Sequence, residues 1–345
     1  MKNLVDILAE RRTLDDEGLR TLLETEDGAL VQELHGRARE VAVEHFGKQV
    51  FLRALIEWSN VCRNDCLYCG IRKSNRHIRR YTLSREDILA CCEHAWSLGM
   101  RTFVLQGGEN PPAVEALTAT VAEMRASWPG AAITLSLGEL PYPTYALLRR
   151  SGADRFLLRH ETATTAHYAK LHPAGMLLEN RLACLQELKR LGYQTGAGMM
   201  VGSPFQTTGH LVADLRFLEA FRPEMIGIGP FIPQKDTPFK DFAPGSTETT
   251  LRLYSILRLM LPDALIPSTT ALSTLRADGR QAGILAGANV VMPNFSPLSN
   301  RSDYSLYDGK AGLGVEAAET LERLRRELSD IGYTVSTSRG DYGGH

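Results

Sequence analysis

Three cysteines, Cys62, Cys66 and Cys69, fall within eight residues in the spacing C-x3-C-x2-C. Thiolates this close on one loop can converge on a single metal centre. Tetrahedral structural zinc takes four protein ligands, often as two C-x2-C pairs. Here no fourth cysteine is near, and His77 lies eight residues beyond Cys69. A 4Fe–4S cubane held by three thiolates instead leaves one iron open to a non-protein ligand. The spacing leaves both an iron–sulfur and a zinc reading standing. Cys91, Cys92 and Cys184 fall on apolar faces of helical patterns and read as packing residues. Six cysteines in 345 residues are too few for a disulfide scaffold.

Other chemistry-bearing residues stand at the ends of short β-rich runs. Gln106-Gly107-Gly108-Glu109 carries a glycine pair that lets backbone approach a ligand closely, or simply makes a βα turn. Thr134 and Ser136 alternate on one strand face, as do Arg159 and Glu161 on another. A buried Arg and Glu are costly unless paired or liganded, so a mutual salt bridge competes with ligand binding. Thr269-Thr270 ends a later run, and Arg301, Tyr304 and Tyr307 follow the last one, placed to cover a cavity or to pack. Gly196-Ala197-Gly198 with Gly202 has its third glycine misplaced for G-x-G-x-x-G, which rejects a Rossmann fingerprint. No P-loop, Ser-His-Asp arrangement or helical H-E-x-x-H is present.

The elements that must position these residues alternate. Strand-like runs recur at Phe51–Ser59, Thr102–Leu105, Ala132–Leu137, Arg155–Arg159, Thr195–Val201, Met225–Ile228, Ile266–Thr270 and Asn289–Met292. Amphipathic segments lie between them. One helix starts at a Ser84-Arg85-Glu86-Asp87 cap and stops at Gly99, and Asn180 opens another that Gly192 closes. Such alternation predicts a (β/α)8 TIM-type barrel, with a doubly wound open sheet as the competitor. Residues 1–48 form a helical lead-in, 49–310 the barrel, and 311–345 a last helix (Ala317–Leu328) and glycine-containing tail.

Composition narrows the partners. Lys+Arg and Asp+Glu nearly cancel, giving a net charge of −1, so a polyanionic nucleic acid is not expected. At 43% hydrophobic and 23% charged the chain can bury a large core. No run of bilayer length and no apolar leader appears, so a cytoplasmic protein without membrane partners is expected.

The cysteine motif, with Tyr68 before its last Cys, resembles that of radical S-adenosylmethionine (SAM) enzymes. Ser59–Gly70, Leu157–Thr162, Gly227–Pro233 and Gly287–Asn294 further resemble the HydE family of FeFe-hydrogenase maturases. The likeness implies a radical SAM barrel with one iron of a 4Fe–4S cluster chelated by the methionyl group of SAM. By resemblance Gln106, Gly107, Gly108 and Glu109 form the element whose backbone holds the methionyl amine. Tyr68, Ser136, Glu161, Arg181, Met200, Pro230 and Ile232 would also border the cofactor, Ile232 flanking adenine. Arg181 suits a carboxylate, which guanidinium takes through two parallel hydrogen bonds. Thr134 and Arg159 would bind deeper anionic substrate groups, with Thr269, Thr270, Arg301, Tyr304 and Tyr307 also on the substrate side. The implied substrate is a cysteine-bound iron carbonyl–cyanide complex delivered by a sister maturase, with flavodoxin or ferredoxin as electron donor. Rival readings are a methylornithine-synthase-like enzyme acting on another small molecule, and a non-catalytic iron–sulfur carrier or zinc scaffold. Some relatives carry C-terminal cysteines for a second cluster. Gly312, Thr320 and Arg323 stand about where those would be, so one cluster is expected. Gly107 replaces a serine of some relatives.

Overall fold

A computed structural model describes residues 3–310, 314 and 316–343. Three helices come first: α1 (Leu4–Arg11), α2 (Asp16–Glu24) and α3 (Gly28–Phe46). They dock on α10 (Thr247–Met260) through Arg12 to the Leu259 carbonyl, Arg252 to the Leu23 carbonyl and His35 to Ser255.

The first barrel stave is broken at Arg53 into β1 (Gln49–Leu52) and β2 (Ala54–Ser59). Then follow α4 (Arg85–Ser97), β3 (Thr102–Gly107), α5 (Pro111–Ser127), β4 (Ala132–Ser136), α6 (Tyr142–Arg150) and β5 (Arg155–Leu157). Next come α7 (Thr165–Leu171), α8 (Leu178–Arg190), β6 (Gln194–Ala197), β7 (Met200–Val201), α9 (Thr208–Phe221), β8 (Met225–Ile226) and β9 (Gly229–Pro230). Beyond α10 lie α11 (Thr270–Leu275), α12 (Gly279–Leu285), β10 (Val290–Val291), α13 (Leu298–Arg301), α14 (Ala317–Asp330) and β11 (Thr334–Ser336).

The pairings close a parallel ring. β2, β3, β4, β5, β6 and β8 are neighbours in that order. Parallel bridges Met225–Leu265 and Pro267–Val290 carry the ring onward, and β10 pairs with β1. This is the (β/α)8 architecture, with helices outside. The outward residues Phe103, Leu105, Ile133, Leu135 and Phe156 are buried in the core beneath those helices. The inward positions mix apolar and polar residues, with Leu55 and Val104 level with Thr134. Glu57, Gln106 and Ser136 are Cα partners across three strands, so their side chains share one level inside the ring.

Four local expectations fail for identifiable reasons. Ile266–Thr270 is not a strand: Pro267 has no N–H to donate, the Ile266 N–H goes to Asn289 Oδ1, and Thr270 already begins α11. The runs at 195–201 and 225–228 break into paired short strands. A Cβ on Gly198 would overlap the Gly227 carbonyl, so two backbones cross there and the ladder is interrupted. Helix α8 starts at Leu178, two residues before Asn180, with no side-chain cap. The C-terminal tail adds β11, which joins β1 in parallel at Gln49–Thr334 and Val50–Val335. Beyond it, Arg155 binds the carbonyls of Arg339 and Gly340 and the Asp341 carboxylate, closing the N-terminal end of the ring. No helix among the described residues is long and apolar enough to cross a membrane.

Candidate active site

The cysteine loop leaves β2 at Asn60, whose side chain binds the carbonyls of Arg79 and Asp303 and accepts the Tyr81 N–H. The Arg80 guanidinium then staples the loop by donating to the carbonyls of Asn60, Ile71, Arg72 and Asn75 at 2.5–3.0 Å. Asp65 ties the other side to Arg72 (2.7 Å) and Ser74 (2.7 Å). Cys62 Sγ accepts the Glu109 N–H at 3.4 Å, which links the loop to the turn after β3. That contact needs glycine beside it: a Cβ on Gly108 would overlap the Val61 carbonyl and lie 2.8 Å from Cys62 Cβ.

All three thiols of the motif are half-buried. Burial pushes Cys69 up to about 12, and burial plus its two neighbouring thiols pushes Cys66 well up. Among the described residues no three His, Cys, Asp or Glu side chains close on a single-ion site. Three soft donors spread round one loop suit the corners of a cubane, whose irons would hold them as thiolates.

Facing the loop is a set of buried polar atoms that lack hydrogen-bond partners: Thr134 Oγ1, Arg159 Nε and Nη2, Glu161 Oε2, Glu139 Oε1 and Arg181 Nε. Arg159 Nη2 and Glu161 Oε2 lie 3.1 Å apart, and Arg181 Nε and Glu139 Oε1 2.9 Å apart. Both pairs are close enough to attract, yet misdirected for hydrogen bonding. Burial raises the Glu139 carboxyl, and Arg181 opposes that rise. Buried polar atoms normally find partners, so this concentration at the C-terminal strand ends suits a polar ligand carrying amine, carboxylate and hydroxyl groups. A cluster on the loop and SAM against these atoms fit the residues present.

Glu161 itself is held in the left-handed region (φ 68°) by its N–H to the Gly198 carbonyl. Behind it His160 and Asp214 are both fully buried. Gly198 N–H donates to His160 Nδ1 (3.2 Å), which puts the imidazole proton on Nε2, facing Asp214 Oδ1 at 3.3 Å. The same oxygen accepts the Ala163 N–H at 2.5 Å.

The remaining candidates divide. Tyr68 OH donates to His172 Nε2 (3.1 Å), and burial holds that imidazole down to about 3, neutral. Gln106 donates to the Tyr304 hydroxyl (3.3 Å), and Ser136 sits beside Gln106 in register. A Cβ on Gly107 would overlap Trp58 Nε1. Glu109 is buried, bound by Arg63 Nε (2.6 Å) and by the Glu139 N–H (2.8 Å). Met200 packs with Leu171, Phe231 and Phe239, while Pro230 and Ile232 lie buried on and just after β9. Thr269 Oγ1 is 3.5 Å from Tyr254 OH, and the Thr270 carbonyl accepts from Thr274. Arg301 donates to the carbonyls of Ser296 and Asn294, bracing its own loop. Burial raises both Tyr304 and Tyr307, so each keeps its phenolic proton.

Sequence reasoning missed a second polar group inside the ring. Glu57 is fully buried, paired with Lys310 and accepting from Asn294 Nδ2 at 2.9 Å. A carboxylate amid the strand run Phe51–Ser59 was the available signal, as was Asp214 on an apolar helix face for the His160 pair.

Known proteins agree with this geometry. Residues 56–218 match the Radical SAM superfamily. The FeFe hydrogenase maturase subunit HydE of Thermotoga maritima is 44% identical over 302 residues, covering 87% of this chain and 86% of that protein. The 3-methylornithine synthase of Methanosarcina acetivorans is 32% identical, covering 90% and 92% respectively. The crystal structure of methylornithine synthase superposes with a TM-score of 0.84 at 29% identity, over 96% of this chain and 97% of that one. The chain therefore belongs to the radical SAM superfamily, in the group that includes HydE and 3-methylornithine synthase.

Proposed function

We propose that the chain is a HydE-type maturase, acting on a cysteine-bound iron carbonyl–cyanide complex during assembly of the FeFe-hydrogenase active site. The observation that carries the radical chemistry is the row of unpartnered buried polar atoms facing the three-cysteine loop at one end of a closed barrel. The maturase assignment rests on the 44% identity to HydE across nearly the whole of both chains.

Cys62, Cys66 and Cys69 would hold three irons of one cluster. When bound, the reduced cluster supplies the electron that splits the sulfur–C5′ bond of SAM into methionine and a 5′-deoxyadenosyl radical. The protein's task is placement and exclusion of water. Glu161, Arg181 and Ser136 present acceptors and donors to the methionyl and ribose groups, and the Gly107-Gly108-Glu109 backbone takes the amine. Arg159 and Thr134 sit deeper and offer donors to an anionic substrate. Tyr304, Tyr307, Thr269 and Thr270 bound the space from the other side, with Arg301 bracing the loop that carries the tyrosines.

We further propose a single cluster: no cysteine follows Cys184, Thr320 and Arg323 lie on α14, and Gly312 lies outside the described residues. The working division is a lead-in at 1–48, the barrel at 49–310 and an appended C-terminal segment at 311–345. A cytoplasmic setting with sister maturases and a flavodoxin or ferredoxin completes the reading.

The test is a substrate comparison. Anaerobically reconstituted protein, reductant and SAM are given either the iron–cysteine complex or lysine, and 5′-deoxyadenosine products are followed. A product that depends on the iron complex supports the maturase. Conversion of lysine to an isomer would overturn it in favour of methylornithine-type chemistry, which the shared fold keeps in view.

A further inference from the structure

The connection between α7 and α8 clasps the cysteine loop from one side, and three successive loop residues meet it. Cys66 Sγ lies 3.9 Å from Met176 Sδ, and the Leu67 N–H donates to the Leu171 carbonyl at 2.9 Å. The Tyr68 hydroxyl meets His172 Nε2 at 3.1 Å. The first contact is loose, and the second is a backbone bond that almost any residue could make. The third depends on side-chain identity at both ends.

His172 is 3% exposed, and its ring is fixed on several sides. Its Nδ1 lies 2.9 Å from the Tyr168 carbonyl, which can only accept, so Nδ1 carries the proton and Nε2 is left as an acceptor. Burial disfavours a second proton, so the imidazole stays neutral. The ring stacks on Tyr168 at 3.9 Å and 22°, and Tyr68 meets it edge-on at 5.5 Å and 87°. The acceptor lone pair is therefore aimed at the Tyr68 hydroxyl. Tyr68 otherwise packs on the apolar cluster of Leu171, Met200, Phe231 and Phe239. Apolar packing is not directional, whereas a hydrogen bond at the far end of the ring sets where that ring lies. The stack also reaches the polar rim. Tyr168 is buried beside Arg181, and Tyr168 OH and Arg181 Nε both lack hydrogen-bond partners.

We propose that His172 is a positioning residue of the cofactor pocket: by accepting the Tyr68 hydroxyl it fixes the Tyr68 ring as a wall beside Met200. The inference rests on the radical SAM reading, in which Tyr68 and Met200 border the cofactor. His172 acts through Tyr68, with no bond made or broken. A ring that is already placed costs an incoming ligand no ordering, and that saving appears as affinity. A histidine that only filled the core would serve stability and leave SAM affinity alone, so the two roles separate by experiment.

The test compares His172→Leu, His172→Gln, Tyr68→Phe and the double variant Tyr68→Phe/His172→Leu. Equilibrium SAM affinity and iron content are measured on reconstituted protein, and urea unfolding on each apoprotein. Losing one neutral hydrogen bond should weaken SAM binding about three- to tenfold in His172→Leu, with iron content unchanged. His172→Gln keeps an acceptor for Tyr68 and a donor for the Tyr168 carbonyl, so it should recover most of the affinity. Tyr68→Phe should lose as much as His172→Leu, and the double variant no more than either, because both break the same bond. In the apoprotein, nitrogen-15 shifts should show His172 protonated on Nδ1 and accepting at Nε2, with the Nε2 signal moved by Tyr68→Phe. Lowered urea stability with wild-type SAM affinity in both single variants would overturn the proposal, as would additive losses or a proton on Nε2. Should His172→Leu fail to fold, Tyr68→Phe leaves no buried donor unpaired and carries the comparison with His172→Gln. Wild-type protein that holds its iron yet takes no SAM would instead overturn the radical SAM reading, and this inference with it.

Discussion

Asp214 offers a sharp test of how the fold holds Glu161 at the barrel mouth. Its carboxylate is fully buried in α9, and its Oδ1 accepts from the Ala163 N–H and from His160 Nε2. Asp214→Ala leaves both donors buried without partners. Each unsatisfied buried group costs about 1–3 kcal/mol, so the variant should lose about 2–6 kcal/mol of stability. Glu161 stands between these two anchors in a left-handed backbone that costs a non-glycine residue about 1–2 kcal/mol. With the anchors gone that conformation should relax, and the carboxylate should leave its place beside Arg159. Asp214→Asn keeps an acceptor oxygen at the same volume, so it should lose far less. Urea unfolding measures the first effect. Equilibrium binding of SAM to reconstituted protein, under conditions where each variant is folded, measures the second. The expected result is SAM affinity lowered about tenfold or more in Asp214→Ala, with iron content unchanged and substantial recovery in Asp214→Asn. Destabilisation with wild-type SAM affinity would refute the claim that this pair positions Glu161, leaving it a packing device only.

Three further outcomes follow from the same geometry. Gly108→Ala puts a methyl group into the Val61 carbonyl and against Cys62 Cβ, atoms that no side-chain rotation can clear. It should hold clearly less iron after reconstitution, whereas Gly130→Ala, whose Cβ meets only Trp96 at 3.9 Å, should hold the normal amount. Arg80→Lys replaces a fork that reaches four carbonyls with a point charge, so chelators should strip iron from it several-fold faster than from wild type. Burial alone would raise the Asp341 carboxyl, but hydrogen bonds from Arg155 and Arg339 bring it down to about 2. A depressed carboxyl stabilises above its unfolded pKa near 4 and loses that contribution as pH falls toward 2. Protection of the 334–343 amides in the apoprotein, taken relative to intrinsic exchange at each pH, should therefore fall between about pH 4 and 2, before that of the barrel strands. Arg155→Met should show the faster tail exchange already at neutral pH.

Much of the site was legible because the chemistry is local. Three cysteines in eight residues, a glycine pair and an Arg–Glu alternation each sit within a few residues of one another, and each follows a strand whose apolar residues announce it. The βα alternation likewise shows in hydrophobic period. What stayed hidden depends on partners far apart in the chain. Glu57 reads as an anomaly in a strand until Lys310, 253 residues on, supplies its counter-charge. The stave around Leu265 and Pro267 is made by two isolated bridges and by the Asn289 side chain, which no period-2 pattern encodes. The strand β11 is three residues long, and only its edge on β1 makes it a strand.

The two partly buried ion pairs at the barrel mouth show why the salt-bridge and the ligand-binding readings of Arg159 and Glu161 need not compete. A finished structural salt bridge would satisfy its donors and acceptors, since buried charges are costly unless paired and hydrogen-bonded. Here Arg159 and Glu161 attract at 3.1 Å, yet two guanidinium nitrogens and the carboxylate oxygen keep unused bonding capacity. Arg181 and Glu139 repeat the arrangement from another pair of elements. Each pair lowers the cost of keeping its charges buried while leaving atoms free to take a ligand. A ligand carrying both amine and carboxylate groups matches this surface, because it can complete a cation and an anion at once. The near-neutral total charge fits that design: opposite charges are brought together inside the ring, so a site for a charged ligand needs no net charge on the chain.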